Sequence, residues 1–185
     1  MRISVYSGSF NPLHIGHLAI MQYLSSWEGT DWTYLVVSPQ NPLKDATAAQ
    51  SSRDRYRAAL AALQRHPDLR VWLDDIELRM PPPSYTIRTL DILHRQEPGN
   101  TFTLVIGGDN LAGIRKWKEY RRILTEYGVA VYPRRGYDSQ ALRAELISED
   151  PSYRISLLDC PLVDISSTQI REGLSRGEDV EAWLM

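Results

Sequence analysis

The amino-acid sequence predicts an α/β protein: one Rossmann-like, doubly wound, mostly parallel sheet with helices on both faces. Three observations lead there. Strand-like runs recur at residues 3–7, 33–38, 71–76, 101–106, 129–132 and 155–158. Segments of helical period separate most of them, as in a series of crossover units. Glycine- and hydroxyl-rich turns follow the strands, at the ends where such sheets collect their ligands. At 185 residues, 43% apolar and 24% charged, the chain suits a single domain over 1–185 with a proper core.

Each element has its own warrant. In the first strand Ile3 and Val5 share a face, and residues 18–24 continue a buried helix after the turn. The second strand leads into Ser38-Pro39-Gln40-Asn41-Pro42-Leu43-Lys44, a proline-braced loop ending in a lysine. Over 51–66, Tyr56, Ala59, Leu60 and Leu63 recur at i, i+3, i+4 and i+7. That spacing predicts an amphipathic helix with Arg53, Arg55 and Arg57 on its exposed side. Pro81-Pro82-Pro83 then makes a stiff local turn after the third strand. Ile87, Leu90 and Leu93 mark a helix that Ser84 or Thr86 can cap and Pro98-Gly99 closes. Tyr120, Ile123, Leu124 and Tyr127 mark another, with Gly128 as its cap.

Composition excludes several classes. A net charge of −2 argues against a large nucleic-acid surface, while leaving room for a local basic pocket. Cys160 is alone, so the chain holds neither a disulfide framework nor a thiolate metal site. No stretch approaches the roughly 20 apolar residues a membrane span needs. The first residues run straight into a strand without the layout of a signal peptide. A cytoplasmic enzyme with neither nucleic-acid nor membrane partner is the expectation.

The most informative segment is Gly8-Ser9-Phe10-Asn11-Pro12-Leu13-His14-Ile15-Gly16-His17, a turn joining the first strand to a helix. Gly8-Ser9 lets the backbone approach a ligand, and Pro12 directs the chain into the helix. His14 and His17, three residues apart, project along one side of the first helical turn. That end of a helix has unpaired N–H groups and partial positive charge, which attract phosphate. The chemistry suggested is transfer at a nucleotide phosphate. A zinc site is discounted, because no third ligand is spaced to complete it. Lys44 can meet a triphosphate as a point charge. Asp109, after Gly107-Gly108, can accept from ribose hydroxyls or hold hydrated Mg²⁺, and Trp117 can stack on a heteroaromatic ring. Ser166, Ser167 and Thr168 open the last helix, and Arg171 reaches phosphate from one turn in.

With these residues in order, the chain resembles the HxGH nucleotidyltransferase superfamily, and within it the nicotinate-nucleotide adenylyltransferases. The resemblance spans 8–17, 39–44, 83–90, 107–117 and 165–171. The first and last segments match the superfamily at large; Pro83-Ser84-Tyr85-Thr86 together with Gly107-Gly108-Asp109-Asn110 and Trp117 points to the nicotinate branch. The resemblance implies that ATP and nicotinate mononucleotide give nicotinate adenine dinucleotide and pyrophosphate, a step of NAD biosynthesis. It implies that His14, His17, Lys44 and Arg171 act on the phosphates. Gly8, Ser9, Phe10, Gly107, Asp109, Ile165, Ser166 and Ser167 would line the ATP site. Ser84, Tyr85, Thr86, Trp117 and Lys118 would receive the mononucleotide. Mg²⁺ would be held through phosphates and water, with Asp109 as the protein group that could reach it. A homo-oligomer is compatible with this reading.

Two departures from the family stand out. Leu43 occupies a position where relatives commonly carry another histidine, so one phosphate contact is missing. Relatives usually continue past Trp183-Leu184-Met185 into another helix, so a truncated chain or a disordered tail is expected. Three rival readings compete: a phosphopantetheine adenylyltransferase, a class I aminoacyl-tRNA synthetase fragment, and a non-catalytic nucleotide-binding regulator. The first gives no reason for the Tyr85 segment together with Trp117, and the second lacks any tRNA-binding domain.

Overall fold

The computed structural model describes residues 1–39 and 51–185. Its strands are β1 (Arg2–Gly8), β2 (Trp32–Val37), β3 (Val71–Asp74), β4 (Thr101–Gly107), β5 (Val129–Tyr132) and β6 (Ile155–Leu157). They form one sheet in the order β3-β2-β1-β4-β5-β6, and every neighbouring pair is parallel. Val5 sits in register with Tyr34 on one side and Leu104 on the other. The chain leaves β1 toward one edge and returns to β4 on the opposite side. The carboxyl ends of β1 and β4 therefore flank the switch point at which open α/β sheets bind ligands.

The helices are α1 (Ile15–Ser26), α2 (Ser52–Gln64), α3 (Ile76–Arg79), α4 (Thr86–Gln96), α5 (Gly108–Ala112), α6 (Tyr120–Arg122), α7 (Ser139–Glu149) and α8 (Ser167–Ser175). Strand alternation sends apolar side chains to both faces, and helices cover each. Ile3, Val5, Leu104 and Val131 pack with Leu90 and Leu93 of α4 and with Leu146 of α7. Tyr6, Leu35, Val37 and Val105 pack with Met21 and Leu24 of α1 and with Ala59 and Ala62 of α2. Among the described residues, no helix is long and apolar enough to cross a membrane.

Several local expectations are corrected. The apolar run predicts a third strand reaching Ile76, but the strand ends at Asp74. The Asp74 carboxylate accepts from the Ile76 N–H at 2.7 Å, and Ile76 starts α3. Neither Ser84 nor Thr86 caps α4: Tyr85 is the cap residue without a side-chain bond, and the buried Ser84 hydroxyl has no partner among the described residues. Arg53 and Arg57 are exposed as expected, but Arg55 is 1% exposed and lies inside the protein. At the end of the chain Leu184 bridges antiparallel to His14, Met185 is buried, and Arg65 donates to its carbonyl. Lys44 and Leu43 lie outside the described residues.

Gly128 does end the helical segment, which passes from α6 into a π-helical turn over Ile123–Tyr127. Its N–H bonds the Ile123 carbonyl at 2.8 Å. Its φ of 80° and ψ of 165° belong to backbone space that only glycine enters freely. An added Cβ would lie 3.0 Å from Arg154 Cβ and 3.1 Å from the Arg154 carbonyl oxygen. Gly128→Ala is expected to lower unfolding free energy by about 1–3 kcal/mol. Urea denaturation should read this as a lower midpoint at unchanged slope.

Candidate active site

At the end of β1 the chain turns through Ser9, Phe10 and Asn11 before α1 begins. Phe10 is buried in the left-handed region at φ 46°, and its ring meets Tyr6 and His17 edge-on at 5.3 and 5.1 Å between centroids. Gly8 makes room for that ring: a Cβ there would lie 3.0 Å from Phe10 Cζ.

His14 is the N-cap of α1. Its Nδ1 accepts from the Gly16 N–H at 3.1 Å, while Nδ1 of His17 accepts from the His14 N–H at 3.1 Å. This reciprocal capping satisfies two of the orphan donors at the helix start. It also assigns the tautomers: with Nδ1 accepting on both rings, each neutral imidazole carries its proton on Nε2. The rings stack with centroids 3.7 Å apart. Gly16 is required between them, because a Cβ would fall 2.9 Å from His14 Cε1. Burial, then the Arg134 charge, lowers the His14 pKa to about 4. Burial lowers His17 well below its usual range, helped by His14 and Arg134. Both rings are therefore neutral N–H donors at pH 7.

α8 faces this turn from the other side of the switch point. Ser166 Oγ accepts from the Gln169 N–H at 3.2 Å, and the Gln169 side chain accepts from the Ser166 N–H at 2.8 Å. Ser167 Oγ donates to the Pro12 carbonyl at 3.0 Å, and Arg171 donates to the Asn11 carbonyl at 2.7 Å. Between the two helix starts lies a cleft of about 250 Å³, lined by Ser9, His14, His17, Ile165, Ser166, Ser167 and Arg171. Two helix N-termini, two neutral imidazoles and two guanidinium groups make its lining rich in donors for an anion.

The second guanidinium is that of Arg134, which no sequence motif singles out. It lines this cleft and also an adjoining one with Asp109, Ile165 and Ser166. Its Nε lies 3.6 Å from Asp109 Oδ1, which is buried and, among the described residues, without a hydrogen-bond partner. Gly107 permits the approach, since a Cβ there would meet Asp109, Tyr132 and Arg134 at 2.5, 2.9 and 3.0 Å. The available signal is positional, because Arg134 follows β5 at the same edge of the sheet as the other motifs.

The remaining predicted residues form a separate group. Ser84, Tyr85 and Thr86 precede and open α4, and Lys118 Nζ sits 4.8 Å over the ring of the part-exposed Tyr85. Trp117 packs partly against the core. None of these five lines that cleft or its neighbour. Gly8, Phe10 and Gly107, expected at the ATP site, line neither cleft. Among the described residues, no three His, Cys, Asp or Glu side chains converge on a common point.

Comparison with known proteins fits this geometry. The profile of the cytidylyltransferase-like family matches residues 5–173. A Bacteroides fragilis protein named "Probable nicotinate-nucleotide adenylyltransferase" is 38% identical over 99% of this chain and 87% of its own length. An Azobacteroides pseudotrichonymphae protein of the same name is 39% identical over 100% of this chain and 92% of its own. The fold is shared with Plasmodium falciparum nicotinic acid mononucleotide adenylyltransferase complexed with NaAD. That structure has a TM-score of 0.80 at 17% identity, covering 99% of this chain and 90% of the other. The chain thus belongs to the cytidylyltransferase-like nucleotidyltransferases, and among them to the nicotinate-nucleotide adenylyltransferases.

A depressed histidine pKa links the site to stability. His14 binds its proton near pH 4 when folded and near 6.5 when unfolded, so protonation favours the unfolded chain. The stability is intact above about pH 6.5 and is lost as pH falls toward 4. Asn at position 14 keeps an oxygen to cap Gly16 without the titration. Between pH 7 and 4 the wild type is expected to lose up to ~3 kcal/mol more than His14→Asn in chemical denaturation.

Proposed function

We infer that the chain is a single-domain, cytoplasmic nicotinate-nucleotide adenylyltransferase that joins ATP to nicotinate mononucleotide. An oxygen of the mononucleotide phosphate attacks the α-phosphorus of ATP. The α–β anhydride bond breaks, and pyrophosphate leaves with the electron pair. The attacking oxygen is already ionised at pH 7, so no protein base or covalent nucleophile is needed. The protein's task is to align two anions and to stabilise charge moving onto the pyrophosphate. Alignment can be worth roughly 7–11 kcal/mol.

The observation that carries this reading is the pair of Nε2-protonated histidines at one helix start, facing a second helix start across a cleft at the sheet's switch point. His14 and His17 donate to phosphate oxygens as neutral groups, so they add direction without a large desolvation penalty. Arg134 and Arg171 supply positive charge, and Lys44 joins them on the strength of the family resemblance. Serines 166 and 167 and the first N–H groups of α8 complete the triphosphate cradle. Asp109, in the adjoining cleft, is assigned to the adenosine ribose on the strength of the family resemblance.

Mg²⁺ also fits the donor set here. Two carboxylates line the adjoining cleft: Asp164, paired with Arg135 at 3.1 Å, and Asp109, which has a buried oxygen without a hydrogen bond among the described residues. With so few protein oxygens, phosphates and water would provide most of the coordination. When bound, the ion would neutralise charge on the leaving pyrophosphate.

The nicotinate half is assigned to the start of α4, where Lys118 lies over Tyr85, with Trp117 added by the family resemblance. A carboxylate accepts from backbone N–H groups at both oxygens, whereas an amide turns an NH₂ toward one of them. Buried donors left unpaired account for large discrimination. Offered separately with ATP, nicotinate mononucleotide should release pyrophosphate with kcat/KM at least ~100-fold above nicotinamide mononucleotide. Phosphopantetheine should release none. Comparable rates with either alternative would remove this reading. His17→Asn keeps an acceptor for the His14 N–H and should lower kcat by about 10²–10³. Nucleotide binding without turnover in the wild type would instead mark a regulator.

A further inference from the structure

Arg55 is the most deeply buried cation among the described residues, at 1% exposure, and none of the chemistry above uses it. It lies in the first turn and a half of α2, on the side turned toward the β1–α1 turn and away from water. One guanidinium nitrogen donates to the carbonyl of Ser9, the residue that lines the phosphate cleft. The other terminal nitrogen bonds Ser52 Oγ at 3.1 Å, which holds the fork to its own helix. Burial lowers its pKa from the usual arginine value, yet an arginine in that range stays charged.

The Ser9 carbonyl matters because it belongs to the peptide that leads into Phe10. Phe10 adopts a left-handed backbone that a bulky L-residue avoids, and a strained residue persists only where its surroundings over-determine it. Three contacts do so: the Arg55 bond to Ser9, the fit of the Phe10 ring over Gly8, and the Arg171 bond to Asn11. In that conformation the Phe10 ring braces His17 edge-on at 5.1 Å. His17 in turn holds the His14 N–H, and the two rings stack. A guanidinium suits the anchoring role better than an ammonium, because its planar fork reaches the turn and its own helix at once.

We propose that Arg55 is a positioning residue for the phosphate cleft: by clamping the Ser9 carbonyl it keeps Phe10 left-handed and so sets the His14–His17 pair. The claim rests on the adenylyltransferase reading only for its kinetic readout. Arg55→Met removes the clamp with a side chain of comparable length and apolar character. Arg55→Lys keeps the charge and one donor. Arg57→Met, on the exposed side of the same helix, serves as control.

The experiment measures melting temperature, kcat, KM for each substrate, and the ring ¹H–¹⁵N signals of His14 and His17 in the substrate-free protein. Arg55→Met is expected to lower kcat about 10- to 100-fold with KM values changed less than about threefold, since a displacement near 1 Å costs on this order. Its histidine ring signals should shift. Arg55→Lys should recover part of kcat, and Arg57→Met should match wild type in every readout. If Arg55→Met is folded with wild-type kcat and ring signals, the proposal falls. Should that variant not fold, Arg55→Lys decides: a folded Lys variant with both readouts unchanged overturns the proposal, and a shifted His17 signal with reduced kcat supports it. An inactive wild type would sink the adenylyltransferase reading alone, because the ring signals still test the clamp.

Discussion

The site depends on one exchange of hydrogen bonds at the start of α1. Two backbone N–H groups, of His14 and Gly16, bond the Nδ1 atoms of His17 and His14. A helix start must satisfy such donors somehow, and serine or aspartate does so in most proteins. Using imidazole nitrogens instead leaves each Nε2–H outside the cap and free to donate elsewhere. The stacked pair tolerates no proton at neutral pH, being buried and near Arg134. Glycine at position 16, glycine at position 8 and a left-handed Phe10 are the steric conditions for it.

Buried polar groups tie the surrounding elements to this arrangement. Glu77, 3% exposed, accepts from Ser7 Oγ at 3.2 Å and from Thr89 Oγ1 at 2.9 Å. Ser7 lies 2.8 Å from Ser38 Oγ, so one carboxylate connects the ends of β1 and β2 to the first turns of α4. Burying a carboxylate costs free energy that these hydroxyl bonds partly offset. The result couples the position of α4, where the nicotinate half is assigned, to the strand carrying the histidine turn. Arg55 and Arg171 act similarly on the turn itself, holding Ser9 and Asn11 from opposite elements.

The alternation of strands and helices is legible along the chain because burial on both faces of a parallel sheet leaves continuous apolar runs. The candidate phosphate segments stand out for a related reason: they sit at strand ends, where glycines and hydroxyls interrupt those runs. Arg55 escapes a reading by periodicity because a helical repeat assigns faces by the majority of apolar residues, and a single cation cannot signal that it points inward. Arg134 escapes because an arginine in a Pro-Arg-Arg-Gly turn looks like any solvated loop cation. The cap of α4 is ambiguous in the chain because Ser84 and Thr86 are both good capping types, and only the backbone decides which residue occupies the position.

By itself, the sequence determined the alternating α/β order and most of the apolar faces, and it singled out short segments at strand ends as candidates for phosphate chemistry. All of these come from local periodicity and residue type. Tertiary structure alone decided the strand order that brings β1 beside β4, and with it the meeting of α1 and α8 across a single cleft. It also decided which nitrogen of each histidine the helix start engages and which arginine is buried beside the turn. Such outcomes depend on contacts between residues up to 160 positions apart, as in the Arg171 bond to Asn11, and no local pattern encodes them.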